Sequence, residues 1–139
     1  MSGGFDLDLA NPARSGVYAV GDTDLDTLAA LARDAGLRVL RVDLRECTDK
    51  HTLLARLATQ LDFPPNFGRN WDALSDALRD LSWQPSSGGY ALLVESAEAL
   101  RSAASADFRM LLDILDEATD SWRESSTVFT VFIGLALED

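Results

Sequence analysis

Apolar residues occur in short blocks separated by polar turns, and the period of the blocks alternates along the chain. Val17-Tyr18-Ala19-Val20 is a continuous apolar run that stops at Gly21, the pattern of a buried strand. Leu25, Leu28, Ala29, Leu31 and Ala32 then recur at helical spacing. Asp22-Thr23-Asp24 before them offers capping side chains, and Gly36 after them offers a stop. Val39, Leu40, Val42 and Leu44, with Arg41 and Asp43 interleaved, predict a second strand, and Cys47 to Asp49 a turn. A helix follows with Leu53, Leu54, Leu57, Ala58 and Leu61 on its apolar face. Strand, helix, strand in this order predicts a βαβ unit with parallel pairing and a right-handed crossover.

Phe63-Pro64-Pro65-Asn66-Phe67-Gly68 interrupts the periodicity, because two prolines and a glycine specify a fixed loop. Asn70 is placed to cap a helix running to about Trp83, with Trp71, Ala73, Leu74, Ala77, Leu78 and Leu81 buried. Residues 85–89 read as a loop. Tyr90 to Val94 is almost wholly apolar, as expected of a strand at the centre of a covered sheet. Residues 96–105 predict a short helix, and Phe108, Leu111, Leu112 and Leu115 a longer one. Thr127 to Ile133, β-branched and aromatic, predicts the last strand. Met1 to Ser15 reads as an irregular lead-in, and there is no internal repeat. The expectation is one α/β domain over residues 1–139: a small, mainly parallel sheet of three to four strands covered by helices.

Composition narrows the function. The chain carries 23 acidic and 12 basic residues, a net charge of −11. Residues 1–61 contribute −2 and residues 62–139 contribute −9. Such a surface repels nucleic acid and anionic membranes and attracts cationic partners. No apolar run is long enough to span a membrane, and Met1–Asp8 lacks the basic and apolar regions of a signal peptide, so a cytoplasmic location is expected. Cys47 is the only cysteine and His51 the only histidine, which excludes an internal disulfide and a cysteine-based zinc site. His51 has no nucleophile motif beside it, and Cys47 reads as a buried thiol. Asp6, Asp8, Asp22, Asp24 and Asp26 lack the loop pattern of a calcium site and read as caps and solvation. Gly88-Gly89 reads as a turn. No cofactor, metal or catalytic residue is expected.

The segment from Phe63 to Trp83 is the most informative. Asp72, Asp76 and Asp80 are spaced i, i+4, i+8 and stack along one helix face. Like charges at that spacing cost an isolated helix a few tenths of a kcal/mol per pair. Asp72, in the first turn, regains some of this from the helix dipole. Arg79 can pair with Ser75 or Asp76 but not with the whole row. The row calls for solvation or for a cationic partner, and the stiff loop before it can bind with little ordering cost. The simpler reading of Phe63, Phe67 and Trp71 is that they plug the core.

The ungapped run Phe-Pro-x-x-Phe-Gly-x-Asn-Trp-Asp-Ala-Leu-x-Asp-x-Leu-x-Asp-Leu-x-Trp resembles the central signature of the barstar family of bacterial ribonuclease inhibitors. The flanking strands and helices follow the family order over residues 37–135. Residues 1–36 have no counterpart in the compact founding member and are expected to extend the sheet by one strand. The resemblance implies an inhibitor, not an enzyme. Its loop and following helix would enter the cationic active-site cleft of a basic ribonuclease and occupy a phosphate position. It implies that Asp76 is the central cleft-filling aspartate, Asp72 the supporting one, and Glu117 a flanking acid on the later helix. Asn66, Phe67, Gly68 and Asn70 fall on the contact loop, with Ser75 and Asp80 on the same helix face. Four positions depart from the founding inhibitor: Asn66 and Ser75 stand where it has aromatics, Phe67 lacks its tyrosine hydroxyl, and Arg69 replaces an acid. Specificity resides in such rim contacts. A monomer binding one-to-one is expected. The alternatives are an immunity protein for a toxin that is not a ribonuclease, a regulator of another basic protein, and a hydrolase using Asp72 and Asp76 as paired carboxylates.

Overall fold

The computed structural model describes residues 9–136. The readings made on Met1–Asp8, Asp6 and Asp8 among them, lie outside those residues. The polypeptide forms one four-stranded sheet from β1 (Val17–Gly21), β2 (Arg38–Asp43), β3 (Tyr90–Glu95) and β4 (Phe129–Leu135). The strand order is β1-β4-β3-β2 and every pairing is parallel. The helices are α1 (Leu25–Asp34), α2 (Lys50–Gln60), α3 (Trp71–Asp80), α4 (Glu98–Ala103) and α5 (Ser105–Glu124). The architecture is the single α/β domain that the periodicity predicts. Among the described residues no helix is long and apolar enough to cross a membrane.

The period of two along the strands divides the core into two layers. Leu40, Val42, Leu92, Val94, Val131 and Ile133 meet the apolar faces of α2, α3 and α5, including Leu53, Leu57, Leu74, Leu78, Leu111 and Leu115. On the other face Ala91, Leu93 and Phe132 meet Leu25, Leu28, Ala29 and Ala32 of α1. The central strands β3 and β4 are therefore buried on both faces, which accounts for their unbroken apolar sequence.

The first βαβ reading requires a correction. β1 and β2 are parallel but occupy opposite edges of the sheet, and β1 pairs with β4 in the register Val17↔Val131 to Gly21↔Leu135. The reason is coverage: α1 has to lie across the middle of the sheet to bury Ala91, Leu93 and Phe132, so its incoming strand enters from the far edge. The C-terminal end of the β2 edge is capped by α2. Gln60 Oε1 accepts from the Asp43 N–H at 2.7 Å, and Arg56 Nη1 donates to the carbonyls of Asp43 and Arg45 at 3.1 and 2.6 Å. Occupying these groups removes a template for edge-to-edge pairing.

The expected capping of α1 also takes another form. Asp22–Asp24 forms a 3₁₀ turn, and Asp24 caps α1 without a side-chain hydrogen bond. Asp22 reaches across the sheet instead, and its Oδ1 accepts from the N–H of Ser96 at 2.8 Å, a residue held at φ 56° after β3. Arg41 adds a second tie, bonding Glu95 at 2.9 Å and Asp26 at 3.0 Å. Gly134 leaves the room for the Asp22 carboxylate. A Cβ there would fall well inside contact distance of Asp22 Oδ1 and 2.7 Å from Leu25 Cδ1. Gly134→Ala is accordingly expected to lower unfolding stability by about 1–3 kcal/mol, the usual cost of overpacking, measured as a shift of the urea midpoint. An unchanged midpoint would show that Asp22 is free to move away.

Candidate functional site

The loop between α2 and α3 is built on aromatic packing. Phe63 is buried, and its N–H donates to the Ala58 carbonyl at 2.9 Å, carrying the chain off the end of α2. Phe67 meets it edge-on at 4.7 Å between centroids, and Trp83 meets its other side at 5.6 Å. Trp83 Nε1 and Gln84 Nε2 both donate to the Leu61 carbonyl, at 3.2 and 3.0 Å. The Phe67 N–H closes a turn onto the Pro64 carbonyl at 3.0 Å. The simpler reading of the aromatics thus holds for Phe63, while Phe67 and Trp71 are only half-buried.

Asn70 is the N-cap of α3, its side-chain oxygen accepting from the Ala73 N–H at 2.7 Å while its amide nitrogen donates to the Gly68 carbonyl at 3.4 Å. Its polar groups are therefore committed to shaping the helix entry. Leu74 and Leu78 anchor α3 in the core, with Trp71, Ala73 and Ala77 half-buried along its flanks. The helix ends at Asp80, earlier than its pattern predicts. Leu81, fully buried, adopts a left-handed conformation at φ 52° as the C-cap. Trp122 Nε1 of α5 donates to the Leu78 carbonyl at 2.8 Å, satisfying one of the last-turn acceptors and fixing α3 against α5.

This framework holds Asp72, Asp76 and Asp80 exposed along one side of α3. The Asp76 side chain is 77% exposed and pairs with Arg79 at 3.0 Å, while Arg79 Nε also donates to the Ser75 carbonyl at 3.3 Å. Asp80 accepts from the Ser82 hydroxyl at 3.1 Å. The acidic row is thus partly relieved by a neighbour on its own helix, in an exposed pairing worth about 0–1 kcal/mol. Asp76 and Asp80 rim a shallow open depression, floored by Phe67 and Trp83 and bounded by Pro64, Asn66 and Gly68. Asp72 lies outside that depression, one turn earlier. Ser75 is half-buried, and Glu117 is exposed on α5 without lining the depression. Pro64, Ala73, Ala77 and Trp83 also line it, beyond the residues the sequence assigned to the site. Trp83 follows Asp76 and Asp80 by seven and three residues, the helical spacing of a shared face on a helix read as running to about Trp83; the helix in fact ends at Asp80 and Trp83 reaches the depression from the segment after it.

The other candidates fall elsewhere. Cys47 is fully buried, and burial pushes its thiol up from the ordinary range. His51 is exposed in the first turn of α2. Among the described residues no three His, Cys, Asp or Glu side chains converge as a metal site would need.

What the arrangement can do is dock. A proline-stiffened loop beside exposed carboxylates, with a shallow depression lined by Phe67 and Trp83, suits a protein surface of opposite charge. Comparison with known proteins supplies the context. The profile of the family described as Barstar (barnase inhibitor) matches residues 37–134, which takes in β2 to β4 and α2 to α5 and leaves β1 and α1 outside. A search of curated protein sequences finds no match. Among solved structures, one described as the Aeropyrum pernix ORC2 protein in ADPNP–ADP complexes superposes with a TM-score of 0.53 at 16% identity, over 94% of this chain and 37% of that one. This chain spans well under half of that protein's length, and at such identity the likeness is one of fold alone.

Proposed function

The chain belongs to the barstar (barnase inhibitor) family, and from that premise we propose that it inhibits a basic ribonuclease by occluding the enzyme's active site. The observation that carries the reading is the pairing of a rigid loop with an exposed acidic helix face, Asp76 and Asp80 standing together at the rim of the depression floored by Phe67 and Trp83. A ribonuclease cleft is cationic because it binds phosphate, and a carboxylate held at the end of a preorganised element can take that position. Asp76 is the central group of this proposal and Asp72 supports it from the preceding turn. Asn66, Phe67 and Gly68 supply shape contacts, Asn70 sets the angle of the helix, and Ser75, Asp80 and Glu117 form the surround. Arg79 releases Asp76 at small cost when a stronger cationic cluster approaches. Inhibition in this scheme is one-to-one occlusion by a monomer within the cytoplasm, with no chemistry and no cofactor.

A kinetic experiment tests it. Purified protein is mixed with barnase and with related basic ribonucleases, and RNA hydrolysis is followed across a range of salt. The expected result is stoichiometric loss of activity, with an association rate that falls steeply as salt rises, because acidic and basic surfaces steer the encounter. Undiminished hydrolysis by every enzyme in the panel at protein excess would overturn the reading. In that event an immunity protein for a different basic toxin becomes the better account.

A further inference from the structure

The acidic face has a cationic neighbour. Lys50 is the only lysine in the chain and His51 the only histidine, and they open α2 side by side. Together with Leu54 and with Arg69 from the contact loop, they line one shallow surface pocket. The Lys50 ammonium lies over the Trp71 ring at 5.2 Å, so the first residue of α3 joins the two cation-bearing segments. Arg69 is exposed and held at φ 54°, immediately before the Asn70 cap.

These charges sit where the helix dipoles disfavour them. Lys50 occupies the first turn of α2 and Arg69 immediately precedes α3, both at the positive ends of helix dipoles, where anions are favoured. Arg41, Arg45, Arg79, Arg101 and Arg123 are ion-paired; among the described residues Lys50 and Arg69 are not, a state shared with Arg14, Arg33, Arg38, Arg56 and Arg109, but only Lys50 and Arg69 line one pocket together. The nearby Asp49 carboxylate is engaged as the α2 cap by the Thr52 N–H at 2.7 Å. A chain of net charge −11 thus leaves two unpaired cations and its one imidazole gathered at the flank of its acidic docking face.

We propose that Lys50, His51 and Arg69 form a second docking patch that receives a carboxylate-bearing rim of the inhibited ribonuclease while Asp76 enters that enzyme's cationic cleft. The inference rests on the functional reading above and adds the chemistry of the partner's rim: acidic residues beside a basic cleft. The bipolar surface fixes the orientation of docking and rejects basic ribonucleases whose rims are also basic, since like charges brought together at an interface are costly.

The test uses the ribonuclease that the chain inhibits. Lys50→Glu/Arg69→Glu changes one half-buried and one exposed residue, and circular dichroism checks that the fold is kept. Association at low salt is expected to slow roughly tenfold and to converge with wild type at high salt, while Lys50→Arg keeps the wild-type rate. The single lysine gives a second readout: a zero-length carbodiimide is expected to join Lys50 to an Asp or Glu of the ribonuclease. Inorganic phosphate and a 5′-phosphorylated RNA oligonucleotide are titrated separately, with the lone imidazole proton signals as reporter. Saturable shifts there would make the patch a phosphate site and overturn the proposal. An unchanged or faster association for the charge-reversed variant, with Asp76→Ala still abolishing inhibition, overturns the patch alone. Sensitivity to charge reversal without sensitivity to Asp76→Ala supports the patch and overturns the placement of the acidic face. Failure of the wild type to inhibit any ribonuclease overturns both.

Discussion

Asp76→Ala is expected to weaken inhibition of the partner ribonuclease by about 2–5 kcal/mol, roughly 30- to 5,000-fold in Kd, the range found when one member of a desolvated interfacial charge pair is removed. The loss should appear mainly in the dissociation rate, because the variant keeps most of the acidic field that steers the encounter. The native fold should be untouched, since the carboxylate is largely exposed and its partner Arg79 is a surface residue on the same helix. Equal urea midpoints for wild type and variant, with unequal Kd from surface plasmon resonance, would establish that the effect belongs to the interface. Asp76→Asn separates charge from size: it is expected to behave like the alanine variant if the carboxylate stands in for phosphate, and like wild type if only shape is read. A Kd for Asp76→Ala within twofold of wild type would remove Asp76 from the interface.

The second large effect concerns stability. Deleting residues 1–36 is expected to yield a chain that fails to fold as a soluble monomer, although the family match begins only at residue 37. Leu25 and Leu28 are almost wholly buried against the sheet. Each such leucine contributes about 1.5–3 kcal/mol by burial, so the two alone approach the lower end of a domain's net stability, about 5–15 kcal/mol. The deletion also bares Leu93 and Phe132 and frees the edge of β4, giving an apolar surface with open backbone groups that invites aggregation. Size-exclusion chromatography and binding of a hydrophobic dye would report the change. Leu28→Ala provides a milder version, expected to cost about 3–5 kcal/mol with the fold retained. A monomeric, dye-negative 37–139 fragment would show that the matched region stands alone and that β1 and α1 are an appendage.

The elements were legible because each strand and helix carries its own period, and the run from Phe63 to Trp83 carried the family resemblance. What could not be read was pairing at a distance. Val17 to Val20 specify a strand but contain nothing that distinguishes β2 from β4 as neighbour; that choice is made by Ala91, Leu93 and Phe132, which need α1 over them. Asp22 has the composition of a cap, and its bond to Ser96 spans 74 residues. The end of α3 carries no mark in the sequence, because Leu81 turns the chain in a left-handed conformation without the glycine that usually signals one. At the candidate site, the loop and the acidic row lie in one sequence segment and could be seen together. The nearness of Lys50 to Arg69, which come from different elements, could not.

The pairing of β1 with β4 also bears on the order of events in folding. Val17 finds Val131 as its partner, and the hydrogen bond from the Thr130 hydroxyl to the Gly16 carbonyl closes a loop across 114 residues. Contacts of such separation give little return until the loop-closure entropy has been met, and they slow folding. During translation β1 has no sheet to join until β4 has left the ribosome, so α1 and its apolar face wait through the synthesis of everything between them. The docking loop and α3 belong to the intervening part. Under the proposed inhibitory role, a cell would be protected only as fast as this slowest pairing forms, and synthesis of the chain ahead of the ribonuclease would be the safer order.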